Sequence, residues 1–140
     1  MITKNPKRPT RRACLAALLA TVALSGCANL GRTPEEVVTQ RVEARWDALI
    51  KGDYDEAWTY TQPAFRGVVK QRDYAKRFGT AGKWLGIQVH DVTCEAERCS
   101  VRLRLSSKLT TSAFRGMDVV TTVDETWVRE DGQWWYYQNF

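Results

Sequence analysis

The chain is poor in the residues that metal and nucleophilic chemistry need. It holds one histidine, His90, and four cysteines, none of them in a C-x-x-C pair. A zinc site takes several closely spaced Cys or His ligands, so no metal and no cofactor is expected. No apolar run is long enough to span a bilayer. The longest, Ala13 to Leu24, covers about a dozen residues, where a spanning helix needs about 20. Internal repeats and low-complexity tracts are also missing. Before Cys27 there is no acidic residue, only Lys4, Lys7, Arg8, Arg11 and Arg12 against neutral neighbours. Removing those five from the chain's 21 basic residues leaves 16 against 16 acidic ones. The formal charge of +5 therefore belongs to that first segment. The remainder has no global field to attract nucleic acid, and no nucleic-acid partner is expected.

What the amino-terminal segment does contain is a basic region, an apolar region and small residues before a break, the pattern of a secretory signal. Leu24-Ser25-Gly26-Cys27 resembles the lipobox of bacterial lipoproteins. The resemblance implies a signal peptide over 1–26, a diacylglyceryl group on the Cys27 thiol and an acylated new amino terminus. Each buried CH₂ contributes about 0.8 kcal/mol of membrane affinity, so the acyl chains together make the bilayer the expected partner. Thr10-Arg11-Arg12-Ala13-Cys14-Leu15 resembles the twin-arginine export motif without its usual Ser and Phe, and both export routes stay open. Residue 28 is Ala, where lipoproteins kept at the inner membrane often carry Asp. For a Gram-negative source the resemblance implies the outer membrane, facing the periplasm.

Cys14 would leave with the signal and Cys27 would carry lipid, which leaves Cys94 and Cys99. Their context, "DVTCEAERCSVRLRL", reads as two β-runs joined by Glu95-Ala96-Glu97-Arg98. Cysteines at the two ends of that loop are direct cross-strand neighbours, with Cβ atoms about 4.5–5.5 Å apart, close to what a disulfide requires. An exported protein meets oxidising conditions, and a Cys94–Cys99 disulfide is expected.

Residues 27–32 read as a lipidated tether, at most about 20 Å long when extended. Thr33-Pro34-Glu35-Glu36 then opens a helix, with Thr as N-cap, Pro at the first position and Glu closing a capping box. Val38, Val42, Trp46, Leu49 and Ile50 recur at helical spacing, and Gly52 ends the run. Asp53 opens a second, short helix that stops before Pro63, and a third lies within Val69 to Phe78. From Trp84 the period changes to two: Val101, Leu103 and Leu105 alternate with Arg102, Arg104 and Ser106. Asp131-Gly132 is a hairpin turn. Four strands are expected, near 84–94, 98–110, 117–130 and 133–139. Helices followed by an antiparallel meander make the fold class α+β.

Over 33–140, "RVEARWDALIKGDYDEAWTYTQPAFR" followed by "ETWVREDGQWWYY" resembles the nuclear-transport-factor-2-like superfamily, which includes ketosteroid isomerase-like proteins. The resemblance implies a cone: N-terminal helices packed in a curved four-stranded antiparallel sheet. It also implies, for the superfamily's enzymes, a carboxylate base in the cone. Asp91, Asp118, Asp124 and Glu125 are the sheet carboxylates, and none matches that motif residue by residue. Asp91 is expected to pair with Arg102 across the strands.

Strand register bears on His90. Unbroken pairing from Cys94–Cys99 would turn His90 and Gln88 to the core and Ile87 and Val89 outward. One extra residue between Val89 and Val92, a β-bulge, reverses this. Burying two aliphatics beats burying His and Gln, so the bulge is expected, with His90 on the polar face. Without it, His90 would join Tyr54, Trp58 and Tyr74 as lining of a pocket. The last hairpin brings aromatics to both faces: Trp127 meets Tyr136 and Arg129 meets Trp134 on one, Val128 meets Trp135 and Thr126 meets Tyr137 on the other. A sheet needs one such face for its core. The candidate binding surface is therefore drawn from Trp135, Tyr137, Val128, Trp127 and Tyr136, for a second copy or an envelope protein. Stacking of Arg129 on Trp134 is the alternative use of these rings. The basic residues from Arg66 to Lys83 read as a solvated face. The expected function is a non-enzymatic protein- or ligand-binding module on the membrane. The alternatives are a small cone-pocket enzyme of isomerase, dehydratase or hydrolase type and a structural dimerisation module.

Overall fold

The computed structural model describes residues 31–79 and 82–139. The expected signal peptide and the lipid-bearing Cys27 lie outside the described residues. Among the described residues, no helix is long and apolar enough to cross a membrane.

The first helix, α1, spans Pro34–Lys51. Its start is the anticipated capping box: Thr33 Oγ1 accepts from the Glu36 N–H, and Glu36 Oε2 accepts from the Thr33 N–H. Gly52 ends it at φ 77°, a left-handed conformation that glycine adopts without steric cost. Asp53 caps α2, Tyr54–Thr59, by accepting from the Glu56 N–H at 3.0 Å. Helix α3, Pro63–Val68, occupies residues to which the sequence pattern assigns no element. Pro63 is pre-set for the first helical turn, and burial of Phe65 holds the helix in place. A last short helix, α4, Gln71–Tyr74, runs into a 3₁₀ turn at Ala75–Arg77, within the range expected for the third helix.

Four strands, β1 Gly82–Glu95, β2 Arg98–Leu109, β3 Asp118–Glu130 and β4 Gln133–Tyr136, form an antiparallel meander in that order. Between β1 and β2 the loop is tighter than expected. Glu95 pairs with Arg98, leaving Ala96 and Glu97 as the turn, with Ala96 at φ 45°. Cys94 and Cys99 face each other and form the disulfide. Asp131 and Gly132 both have positive φ, as a type I′ turn requires, and β3–β4 pairs in the expected register.

Strand β1 is bulged twice, between Trp84 and Gly86 and between Val89 and Asp91. The second bulge sets His90 aside and brings Ile87 opposite Leu105 and Val89 opposite Leu103. The aliphatic residues thus stay on the core side and His90 is exposed. The core lies between α1 and the inner face of the sheet. Val38, Val42, Trp46 and Leu49 from the helix meet Val101, Leu103, Leu105, Trp127 and Trp134 from the sheet. The free edge of β4 is covered by the chain between α2 and α3. Tyr136 donates its N–H to the Tyr60 carbonyl at 2.9 Å, and its own carbonyl accepts from the Gln62 N–H at 3.0 Å. Covering an edge in this way removes a template for unwanted strand pairing.

Candidate functional site

Between α1 and the sheet this chain buries an ion pair. Alternation along β3 turns Glu125 inward with Trp127, and Arg45 lies on the apolar stripe of α1. Arg45 NH1 donates to Glu125 Oε1 at 2.9 Å, with both side chains almost fully buried. The same oxygen accepts from Trp46 Nε1 at 2.8 Å, and Oε2 accepts from Trp127 Nε1 at 3.0 Å. The Arg45 guanidinium also donates to the Tyr74 hydroxyl at 3.2 Å, and its carbon lies 3.7 Å from the centre of the Tyr136 ring. Burial opposes the charge of Arg45, but Glu125, Tyr74 and Tyr136 together outweigh it and raise its pKa. Burial pushes the Tyr136 hydroxyl up, against the pull of Arg45. A carboxylate and a tyrosine do converge here, but on a guanidinium that takes up both. A glutamate with three donors on its oxygens is a structural acceptor.

The second cluster lies at the covered edge of β4. One turn before Arg45, Arg41 extends from α1 with its guanidinium carbon 5.1 Å from the Tyr60 ring and 5.1 Å from the Trp135 ring. Arg66, from α3, approaches the same indole at 4.5 Å and the Trp58 ring at 5.7 Å. Its NH1 also donates to the carbonyls of Thr59 and Thr61, tying α3 to the preceding turn. Burial lowers the pKa of Arg41; Tyr60 opposes this and the charge of Arg66 adds to it. Burial likewise lowers that of Arg66, against the charge of Glu130. Neither arginine belongs to an ion pair among the described residues. Arg41 Nε is buried without a hydrogen-bond partner. No signal along the chain marks this cluster, because α1, the stretch from α2 to α3, and β4 each supply one part.

The expected binding surface is only partly a surface. Trp127 is 0% exposed and Tyr136 packs beneath Arg45, because the β3–β4 register puts both on the core face. Trp135 and Val128 are half-buried on the other side, and Tyr137 is exposed, with the Arg98 guanidinium carbon 5.7 Å from its ring. Arg129 does not stack on Trp134, which is buried; it lies 3.9 Å from Glu97.

The pocket candidates separate as well. Tyr54 and Tyr74 meet through Phe78, at ring distances of 5.2 and 5.1 Å, and Trp58 donates to the Val69 carbonyl at 3.0 Å. These three belong to the packing of the short helices, whereas the bulge sends His90 outward. On the outer face, a cleft of about 290 Å³ is lined by Asp91, Ser100, Arg102, Asp124 and Thr126. Arg102 stands opposite Asp91, but its ion pair is with Asp124, at 2.8 Å, and Asp91 accepts from Thr93 instead. Among the described residues no group of three or more His, Cys, Asp or Glu side chains could hold a metal.

Comparison with known families finds none that matches, and no curated protein matches either. Solved structures do. A SEC-C motif containing protein from Rhodopseudomonas palustris is similar with a TM-score of 0.57 at 15% identity, over 70% of this chain and 73% of that one. Another SEC-C motif containing protein, from Psychrobacter arcticus, gives 0.57 at 13%, over 74% of this chain and 60% of that one. A protein from Campylobacter jejuni described as an NTF2-like transpeptidase gives 0.50 at 11%, over 73% of this chain and 98% of that one. At these identities the likeness shows the fold alone, an α+β fold of NTF2-like type.

Proposed function

We propose that this chain is a lipid-anchored envelope protein, held at the bilayer through acylated Cys27, and that its α+β domain is a non-enzymatic binding module. The anchor rests on the basic segment, the short apolar run and the Leu24-Ser25-Gly26-Cys27 stretch. For a Gram-negative source the address is the outer membrane, facing the periplasm. The binding role rests on one observation. The ionisable groups between α1 and the sheet are used up on one another, with Glu125 holding Arg45 and two indoles. Arg41 and Arg66, neither in an ion pair among the described residues, meet instead on Trp135 at the edge of β4.

Metabolic labelling with a palmitate analogue tests the anchor. The full chain is expected to take up label and fractionate with membranes, and Cys27→Ala to lose the label and become soluble. Label that survives Cys27→Ala, or an unlabelled soluble parent protein, would overturn the assignment.

A further inference from the structure

We propose that Arg41 and Arg66, converging on Trp135, form a receptor for a phosphate-type oxyanion. This deepens the binding-module reading, on which it rests, and needs no part of the anchor assignment.

Arg41 and Arg45 are one turn apart on α1 and both are drawn out of water. Arg45 is neutralised by Glu125 at 2.9 Å. Arg41 has no acid. A second cation, Arg66, faces the same indole, so the two guanidinium carbons are at most about 10 Å apart by the sum of their distances to its centre. Two like charges held together in a partly desolvated place repel one another unless an anion joins them. The acids whose charges reach the cluster are Glu130, acting on Arg66, and Glu56 and Asp47, acting on Tyr60. None of the three forms an ion pair with the two arginines among the described residues.

Guanidinium is the side chain best matched to this ligand. Its planar fork donates two parallel hydrogen bonds to a phosphate or carboxylate. Two forks suit the higher charge and tetrahedral oxygens of phosphate better than a single carboxylate. The rings keep the forks in place: Tyr60 and Trp135 pack on Arg41, Trp58 and Trp135 on Arg66. Arg66 is further fixed by its bonds to the Thr59 and Thr61 carbonyls. Little side-chain entropy then remains to be lost on binding. Arg41 is eight residues past the N-cap Thr33, about 12 Å along the helix. A phosphate there can come from a soluble phosphate ester or from an anionic lipid headgroup, and the chemistry is shared.

The full chain in phosphatidylcholine bilayers, titrated with inorganic phosphate and glycerol phosphate and followed by tryptophan emission, tests the receptor. A saturable change is expected, with affinity falling about tenfold or more in Arg41→Gln and less in Arg41→Lys, which keeps the charge but loses the fork. Arg66→Gln should weaken binding too. It also removes the ties to Thr59 and Thr61, so Arg41→Gln carries the decision. Adding phosphatidylglycerol to the bilayer separates the sources. An Arg41-dependent change that pre-empts the phosphate titration assigns the lipid headgroup, and an unaltered titration assigns the soluble ester. Absence of any saturable response, or one that survives Arg41→Gln, overturns the proposal. A photo-crosslinker placed at Trp135 in intact cells keeps that failure apart from failure of the parent reading. Adducts without phosphate binding sink the oxyanion alone, and neither adducts nor binding sinks both.

Discussion

At Glu125 a single side chain decides whether the interior holds together. Its carboxylate balances one buried cation and satisfies two buried indole N–H groups. Replacing Glu125 by Gln keeps an acceptor oxygen for only one of the two indoles, sets an amide NH2 against the other N–H and strands the charge of Arg45; breaking a buried pair from one side costs about 3–5 kcal/mol. Removing both charges, as Arg45→Met with Glu125→Gln, is expected to recover the part of that loss that comes from the stranded charge. Urea unfolding of the parent, the single and the double variant measures the coupling. A Glu125→Gln loss below about 1 kcal/mol would mean that water screens the pair. Both residues were within reach of the sequence pattern. Arg45 falls three after Val42 and four before Leu49, on the apolar stripe, and Glu125 falls two before a core-facing Trp127. Helical spacing puts Arg45 on the apolar stripe and alternation puts Glu125 on the face of Trp127, but a pattern of faces does not say which acid meets which base.

Among the elements, the hairpins were legible and one helix was not. Asp131-Gly132, the alternating run in β2 and the cost of burying His90 each point to one register, and each physical preference agrees with the next. Helix α3 offers no such agreement. It is six residues long, contains Gly67, and is held by burial of Phe65 and by the reach of Arg66 to the Thr59 and Thr61 carbonyls. Those are tertiary causes, invisible to local propensity. The disulfide belongs to this scale too. Cys94 and Cys99 close a very short loop between strands that already pair on both sides of it. Loop-closure entropy then gives it about 2 kcal/mol. Reduction is expected to lower the unfolding free energy by that amount, read as a fall in the urea midpoint of about 1–2 M, and to leave the sheet intact by circular dichroism. Collapse of the sheet on reduction would show that the bridge does more than close its hairpin.

For the whole molecule, contiguity decided what could be read. The stretch ending at Cys27 is continuous, so the proposed lipid attachment is read along the chain itself. The cluster of Arg41, Tyr60, Arg66 and Trp135 is assembled from three separated segments, and no spacing joins them before the fold does. Contiguity also yields a test of the proposed processing that needs no knowledge of the ligand. The full chain carries 21 basic and 16 acidic residues and an isoelectric point near 9.2. Cleavage before Cys27 would remove five of the basic residues and no acidic one. Acylation of the new amino terminus would remove its charge as well. With 16 acidic and 16 basic side chains left and the terminal carboxylate no longer balanced by an amine, the processed protein should focus below neutrality, about three pH units below its precursor, since carboxylates titrate near 4, histidine near 6.5 and lysines above 10. Isoelectric focusing of the membrane-bound species against the Cys27→Ala precursor makes the measurement. A membrane-bound form that still focused near the precursor would have kept the basic segment, and the anchor would then have to be something other than lipid on Cys27.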